Sequence, residues 1–331
     1  MRKINIPIFV SHLGCPNDCI FCDQKKITGV RGGYDFEGAE KKIALSLETA
    51  PEECEIEIAF FGGSFTGIGS EYQNKYLETA QKFMNDKRVK GIRLSTRPDY
   101  INEDILDNLK KHGVTSIELG VQSMDDKVLE MNKRNLKASD TVKAAELIKR
   151  SGFSLGLQMM TGMYGSTPEK DIETAEEIAA LAPETVRIYP TVAIEGTRLY
   201  ELYLSGEYVP YSLEKTVELC AKLYDLFEEN NIKVIRGGLM SSSEIKEGKV
   251  AGPYHSSFGE LVASRRYLRR IMEKLEGKDV SGKSVTVFSP KYKVSQVLGN
   301  KLSNIKRLKE EFPETRFSVI EKDGFGIEIS D

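Results

Sequence analysis

The chain has 331 residues, a formal net charge of −3, 40% hydrophobic residues and five cysteines. That length suits one large α/β unit with an appendage and excludes a mini-protein scaffold held together by disulfides. No stretch reaches the roughly 18 apolar residues that span a bilayer, the opening MRKINIPIFVSH has no leader-like pattern, and an odd cysteine count speaks for reduced thiols; the expected setting is cytoplasmic, with no membrane partner.

The first apolar run, 4–12, leads directly into GCPNDCIFCDQ, where Cys15, Cys19 and Cys22 stand at C-x3-C-x2-C spacing. Apolar runs follow at 55–63, 91–97, 116–123, 154–162 and 185–192. Amphipathic segments expected as helices lie between and after them, over Glu71–Met84, Glu103–His112, Ala138–Arg150, Glu169–Leu181 and Leu213–Asn230. Strand followed by helix, repeated about six times, implies βα units around a parallel sheet: an α/β fold, a partial (β/α)6 TIM-like barrel over 1–235. The pattern also admits a doubly wound sheet. In either case chemistry belongs at the C-terminal strand ends, where the cysteine loop, Gly62-Gly63-Ser64, Ser95-Thr96-Arg97-Pro98 and Gln122-Ser123 fall.

The pattern then changes. Residues 236–282 read as a Gly- and Ser-rich loop and a basic helix from about Phe258 to Leu275. Residues 283–331 read as a small α+β appendage: strand, helix, helix, and a hairpin turning at Lys322-Asp323-Gly324. From Ile232 to Glu311 there are 17 Lys and Arg against 8 Asp and Glu, which suits a polyanion such as RNA; a solvated charged surface is the alternative. Arg265, Arg266, Arg269 and Arg270 form two pairs at i, i+4 spacing, a face suited to phosphates, and Tyr254, Tyr267 and Tyr292 are candidates for stacking on unpaired bases.

Three clustered thiolates can hold three irons of a 4Fe-4S cluster and leave the fourth iron open. Two alternatives stay open: structural zinc on the three cysteines plus His12, and a purely redox cluster. Cys54 and Cys220 read as ordinary buried thiols.

C-x3-C-x2-C with an aromatic, Phe21, before the last cysteine resembles the signature of the radical S-adenosylmethionine superfamily. Gly62, Gly63 and Ser64 are similar to its glycine motif, where a Cβ would obstruct the methionine amino group. The blocks 95–101, 118–134, 156–167 and 186–208 resemble those shared by the Elongator catalytic subunit and the oxygen-independent coproporphyrinogen oxidases. The resemblance implies a 4Fe-4S cluster and S-adenosyl-L-methionine as cofactors, reductive cleavage to a 5′-deoxyadenosyl radical, and cofactor contacts from Ser95, Gln122, Ser123, Arg134 and Gln158. Against the coproporphyrinogen oxidases, Ser95 and Gln158 stand where acids are usual, and Asp23-Gln24 where a further cysteine is usual. Against the Elongator subunit, the gap between the first two cysteines is short and no acetyltransferase segment is found in these residues.

The segment 297–312 resembles the helix-loop-helix core of a K-homology RNA-binding module, with Gly299 kept, Leu302 at the second glycine position, and Lys301 able to supply charge. The expected function is therefore a radical S-adenosylmethionine enzyme modifying a tRNA or other RNA base, served by an electron donor such as flavodoxin or ferredoxin. A coproporphyrinogen oxidase-like enzyme acting on a small molecule and a zinc-stapled, non-catalytic RNA-binding protein are the alternatives. Oligomeric state is not legible from the sequence.

Overall fold

A seven-stranded parallel sheet organises the first part of the chain in a computed structural model that describes residues 2–10, 15, 19–23, 33–239 and 249–331. Its strands are β1 Arg2–Phe9, β2 Cys54–Phe61, β3 Val89–Thr96, β4 Val114–Gln122, β5 Ser154–Thr161, β6 Thr185–Pro190 and β8 Lys233–Gly237, while the two-residue β7 Ala193–Ile194 pairs antiparallel with β9 Val250–Ala251. Their order is β1-β2-β3-β4-β5-β6-β8, every neighbouring pair is parallel, and β1 does not pair with β8. This is the expected partial barrel, with one strand more than six; β8 is short and polar-flanked, so its sequence carries little apolar signal.

Helices cross between the strands: α1 Phe36–Thr49, α2 Ser70–Gln81, α3 Glu103–Lys111, α4 Asp126–Met131, α5 Ala138–Arg150 and α6 Pro168–Ala180. Their ends are written locally. Asn102 caps α3 by accepting from the Ile105 N–H at 2.9 Å, acids fill its first turn, and Lys110 and Lys111 its last, as the helix dipole favours. Thr167 caps α6, with Pro168 at the position that needs no N–H donor. The core is built from strand residues such as Ile56, Ile58, Phe60, Ile92, Leu94, Ile117 and Leu119, none more than 1% exposed. These residues alternate along their strands and form one apolar face, whereas the residues between them, Glu57, Arg93 and Glu118 among them, lie on the other.

The chain divides into two compact units, residues 1–211 with 227–254, and residues 212–226 with 255–331. The basic helix α9 Phe258–Leu275 thus groups with the C-terminal strands, and the second unit also takes in most of α8 Leu213–Glu229, which follows α7 Arg198–Leu204. In it, β10 Ser284–Ser289 lies between β11 Arg316–Glu321, parallel to it, and β12 Gly326–Ser330, antiparallel to it, with α10 Val294–Leu298 and α11 Ser303–Glu311 intervening. The hairpin expected at Lys322-Asp323-Gly324 does not form. Val285 and Val287 make β10 the buried strand, so both later strands pair with it and not with each other. Among the described residues, no helix is long and apolar enough to cross a membrane.

Candidate active site at the strand ends

A cavity of about 390 Å³ lies at the C-terminal strand ends of the first unit. Its wall joins Phe21 and Cys22 to Gly62 and Gly63 after β2, Ser95 on β3, Gln122 on β4, Gln158 and Met160 on β5, Arg187 and Tyr189 on β6, and Arg236 on β8. The rule that places chemistry at these ends accounts for the convergence.

Among the described residues of the cysteine loop, Ile20 is an anchor. Ile20 is 4% exposed and packs against Ala193, Leu199, Leu202 and Tyr208. Its N–H donates to the Asn132 carbonyl at 3.3 Å, and its own carbonyl accepts from the Leu199 N–H at 2.8 Å. Cys19 is held beside it, and the Cys22 N–H closes a turn onto the Cys19 carbonyl at 3.0 Å. Around the Cys19 sulfur stand Arg134 Nη1 at 3.6 Å and Arg97 Nη1 at 4.0 Å.

Among the described residues, no three Cys, His, Asp or Glu side chains stand together as a metal-holding group. The donor chemistry nevertheless fits an iron–sulfur cluster: Cys15, Cys19 and Cys22 lie outside any disulfide, one faces the cavity, and two guanidinium groups stand beside the sulfur of another. His12, needed for the zinc alternative, lies outside the described residues, as does Gln24.

The wall also fits a polar organic cofactor. Gly62 has φ +95° and sits where a Cβ would meet the Phe9 ring at 3.3 Å, so backbone is bared to the cavity there. Gln122 closes a register shift in β4 at φ +72°, and its Oε1 is buried with no donor among the described residues. An acceptor left unpaired is costly unless a ligand supplies the donor.

Not every expected contact lines the cavity. Ser64 is buried at the start of the 3-10 turn Phe65–Gly67. Ser123 is buried against Thr174 and accepts from the Asp125 N–H. Arg134 is buried behind the wall and donates to the Gly120 carbonyl.

A buried charge network goes unnoticed in the sequence. Glu118, 1% exposed, accepts from Arg187 at 2.6 and 2.9 Å, from Arg93 at 3.1 Å and from the Gln158 amide nitrogen at 2.8 Å. Arg93 also pairs with Glu57 at 2.8 Å, and Arg187 lies over the Phe61 ring. Burial alone would raise the Glu118 carboxyl, but Arg187, then Arg93 and Gln158, hold it below the ordinary carboxylate range. Burial raises the Tyr189 hydroxyl despite Arg187 and Arg236. The signal was available: Glu57, Arg93, Glu118 and Arg187 are each a charge flanked on both sides by Ile, Leu or Val.

In the second unit the arginines of the expected phosphate face stand against acids of α8. Arg265 pairs with Glu218 at 2.7 Å, Arg266 with Asp225 at 2.6 Å, and Arg269 with Asp225 at 3.3 Å; the arginine side chains are only 17–29% exposed. The acids of α8 neutralise the stripe, and Arg270 also has a partner. Tyr267 packs into the unit's core beside Phe325, whereas Tyr292 is 91% exposed. The loop Gly299-Asn300-Lys301-Leu302 links α10 to α11, with Lys301 exposed at φ +53°. Gly299 is required there, since a Cβ would fall 2.4 Å from Ser303 Oγ.

Residues 9–178 match the family model of the radical SAM superfamily, and residues 183–270 that of the Radical_SAM C-terminal domain. A tRNA uridine(34) acetyltransferase of Methanocaldococcus infernus is 35% identical over 184 residues, 50% of this chain and 34% of that protein. Human Elongator complex protein 3 is 31% identical over 218 residues, 60% of this chain and 40% of that protein. The archaeal Methanocaldococcus infernus Elp3 with an N-terminal deletion superposes with a TM-score of 0.63 at 26% identity, covering 82% of this chain and 63% of that one. The chain thus spans between about a third and two fifths of the length of these curated relatives.

Proposed function

The chain belongs to the radical SAM superfamily, and on that premise we propose that it holds a 4Fe-4S cluster on Cys15, Cys19 and Cys22, binds S-adenosylmethionine in the adjoining cavity, and modifies a base of a transfer RNA. The observation that carries this reading is a single cavity wall joining Cys22 and Phe21 to Gly62, Gly63, Ser95, Gln122 and Gln158 from four strand ends. A cluster held by Cys15, Cys19 and Cys22 would supply the electron for reductive cleavage of S-adenosylmethionine to methionine and a 5′-deoxyadenosyl radical.

The protein's own residues bind, orient and exclude water. Bare backbone at Gly62 and Gly63 receives the methionine end. Gln158, its amide nitrogen held by Glu118, leaves its oxygen to accept from a ligand hydroxyl or amine. Gln122 Oε1 accepts another such donor. Phe9, Phe61, Met160, Val192 and Ile194 give the wall an apolar portion, which shields a radical from solvent.

The transfer RNA part rests on the relatives named for that substrate and on the basic segment 232–311, with Lys301 in its loop as the contact to phosphate. It covers the radical step on the base and not the acetyl transfer for which those longer proteins are named. A flavodoxin or ferredoxin is the proposed electron donor.

The test is anaerobic reconstitution, reduction with dithionite and quantification of 5′-deoxyadenosine, for wild type beside Cys19→Ala. A brown protein that forms the product only with Cys19 present supports the assignment. A colourless protein with one zinc per chain and no product rejects it. Stimulation of product formation by bulk transfer RNA, and not by a porphyrinogen, separates the RNA reading from the small-molecule one.

A further inference from the structure

We propose that Arg97 is a positioning residue that donates an N–H to the Cys19 sulfur and thereby raises the reduction potential of the cluster, a reading that rests on the cluster assignment above. Arg97 is 3% exposed and follows β3. Its Nε and Nη2 clasp the Asp99 carboxylate at 2.8 and 2.9 Å, and Nη2 also donates to the Arg134 carbonyl at 2.7 Å. Three fixed contacts leave the guanidinium plane no freedom, and its remaining Nη1 faces the Cys19 sulfur at 4.0 Å.

Arg97 thus ties the cysteine loop, the end of β3 and the segment after α4 into one frame. Its own acid partner does not cancel the effect at the sulfur: the Asp99 side chain is 31% exposed to solvent, whereas Arg97 and Cys19 are buried.

Reduction transfers one electron from an external low-potential donor to the cluster, and the added negative charge spreads over the sulfurs. A cationic N–H donor at one ligating sulfur favours that reduced form. Hydrogen bonds to sulfur and solvent exposure are among the levers by which a protein sets such a potential.

The experiment is a redox titration of the reconstituted full-length chain followed by electron paramagnetic resonance, with wild type, Arg97→Gln and Arg97→Lys. At a fixed solution potential near the wild-type midpoint, Arg97→Gln is expected to lower the ratio of reduced to oxidised cluster about tenfold, which for a one-electron couple is about 59 mV. Arg97→Lys, which keeps the charge and loses the planar fork, falls between. A midpoint equal to wild type in iron-loaded Arg97→Gln overturns the proposal. If only Arg97→Lys retains iron, an unshifted midpoint there overturns it. If neither retains iron, Arg97 is a scaffold residue and the proposal fails. Wild type without iron and sulfide defeats the cluster assignment itself, an outcome visible before any titration begins.

Discussion

Gly62 shows how little space the site leaves. With φ +95° and the Phe9 ring 3.3 Å from any Cβ, Gly62→Ala forces a left-handed backbone on an L-residue and crowds the cavity rim. The cost to stability is expected to be about 1–3 kcal/mol. Affinity for S-adenosylmethionine, measured by calorimetry on the oxidised protein, is expected to fall about tenfold or more, since a loss of ~1.4 kcal/mol corresponds to a factor of ten. An unchanged dissociation constant would remove Gly62 from the binding wall. This residue was legible in the sequence because glycine pairs at strand ends advertise themselves. Gln122 was legible only as a polar residue in a motif, and nothing in the chain announced its positive φ or its unpaired oxygen.

Elements matter through what they place opposite one another. Strands β2, β3, β4 and β6 each contribute one charged side chain, and together they close the network of Glu57, Arg93, Glu118 and Arg187. Because the folded Glu118 carboxyl lies below its ordinary value of 4.5, the pairing stabilises the fold fully above that pH and is lost as pH falls through the depressed folded value. Glu118→Gln is expected to cost about 3–5 kcal/mol at pH 7, where it leaves Arg187 and Arg93 without their shared acid. It should also flatten the acid limb below pH 4.5. Urea unfolding at pH 7, 4.5 and 3 checks both, and an acid limb as steep as wild type would refute the assignment. The strands and most helices were readable from periodicity, because period is a local property. The fate of Arg265, Arg266 and Arg269 was not, because a basic stripe on one helix looks the same whether water, phosphate or a matching acidic stripe faces it. Here Glu218 and Asp225 of α8 supply that stripe, and only the tertiary pairing reveals it.

For the whole molecule, net charge −3 conceals the basic segment 232–311, and counterion release then predicts transfer RNA affinity that falls linearly in log–log form with salt. Lys301→Glu is expected to weaken retention of transfer RNA at every salt concentration and to reduce the magnitude of the slope by about one or more, read by filter binding. Superimposable curves would take Lys301 out of the interface. The anchoring of the cysteine loop has a consequence in time. Ile20 rests on Leu199 and its neighbours, about 180 residues further along the chain. At translation speeds of about 5–20 residues per second, the thiols emerge of order 10 to 40 s before the segment that fixes them exists. A chain stalled or cleaved before Leu199 would therefore carry all three cysteines without the apolar seat of Ile20, and is expected to load iron less well than the full chain.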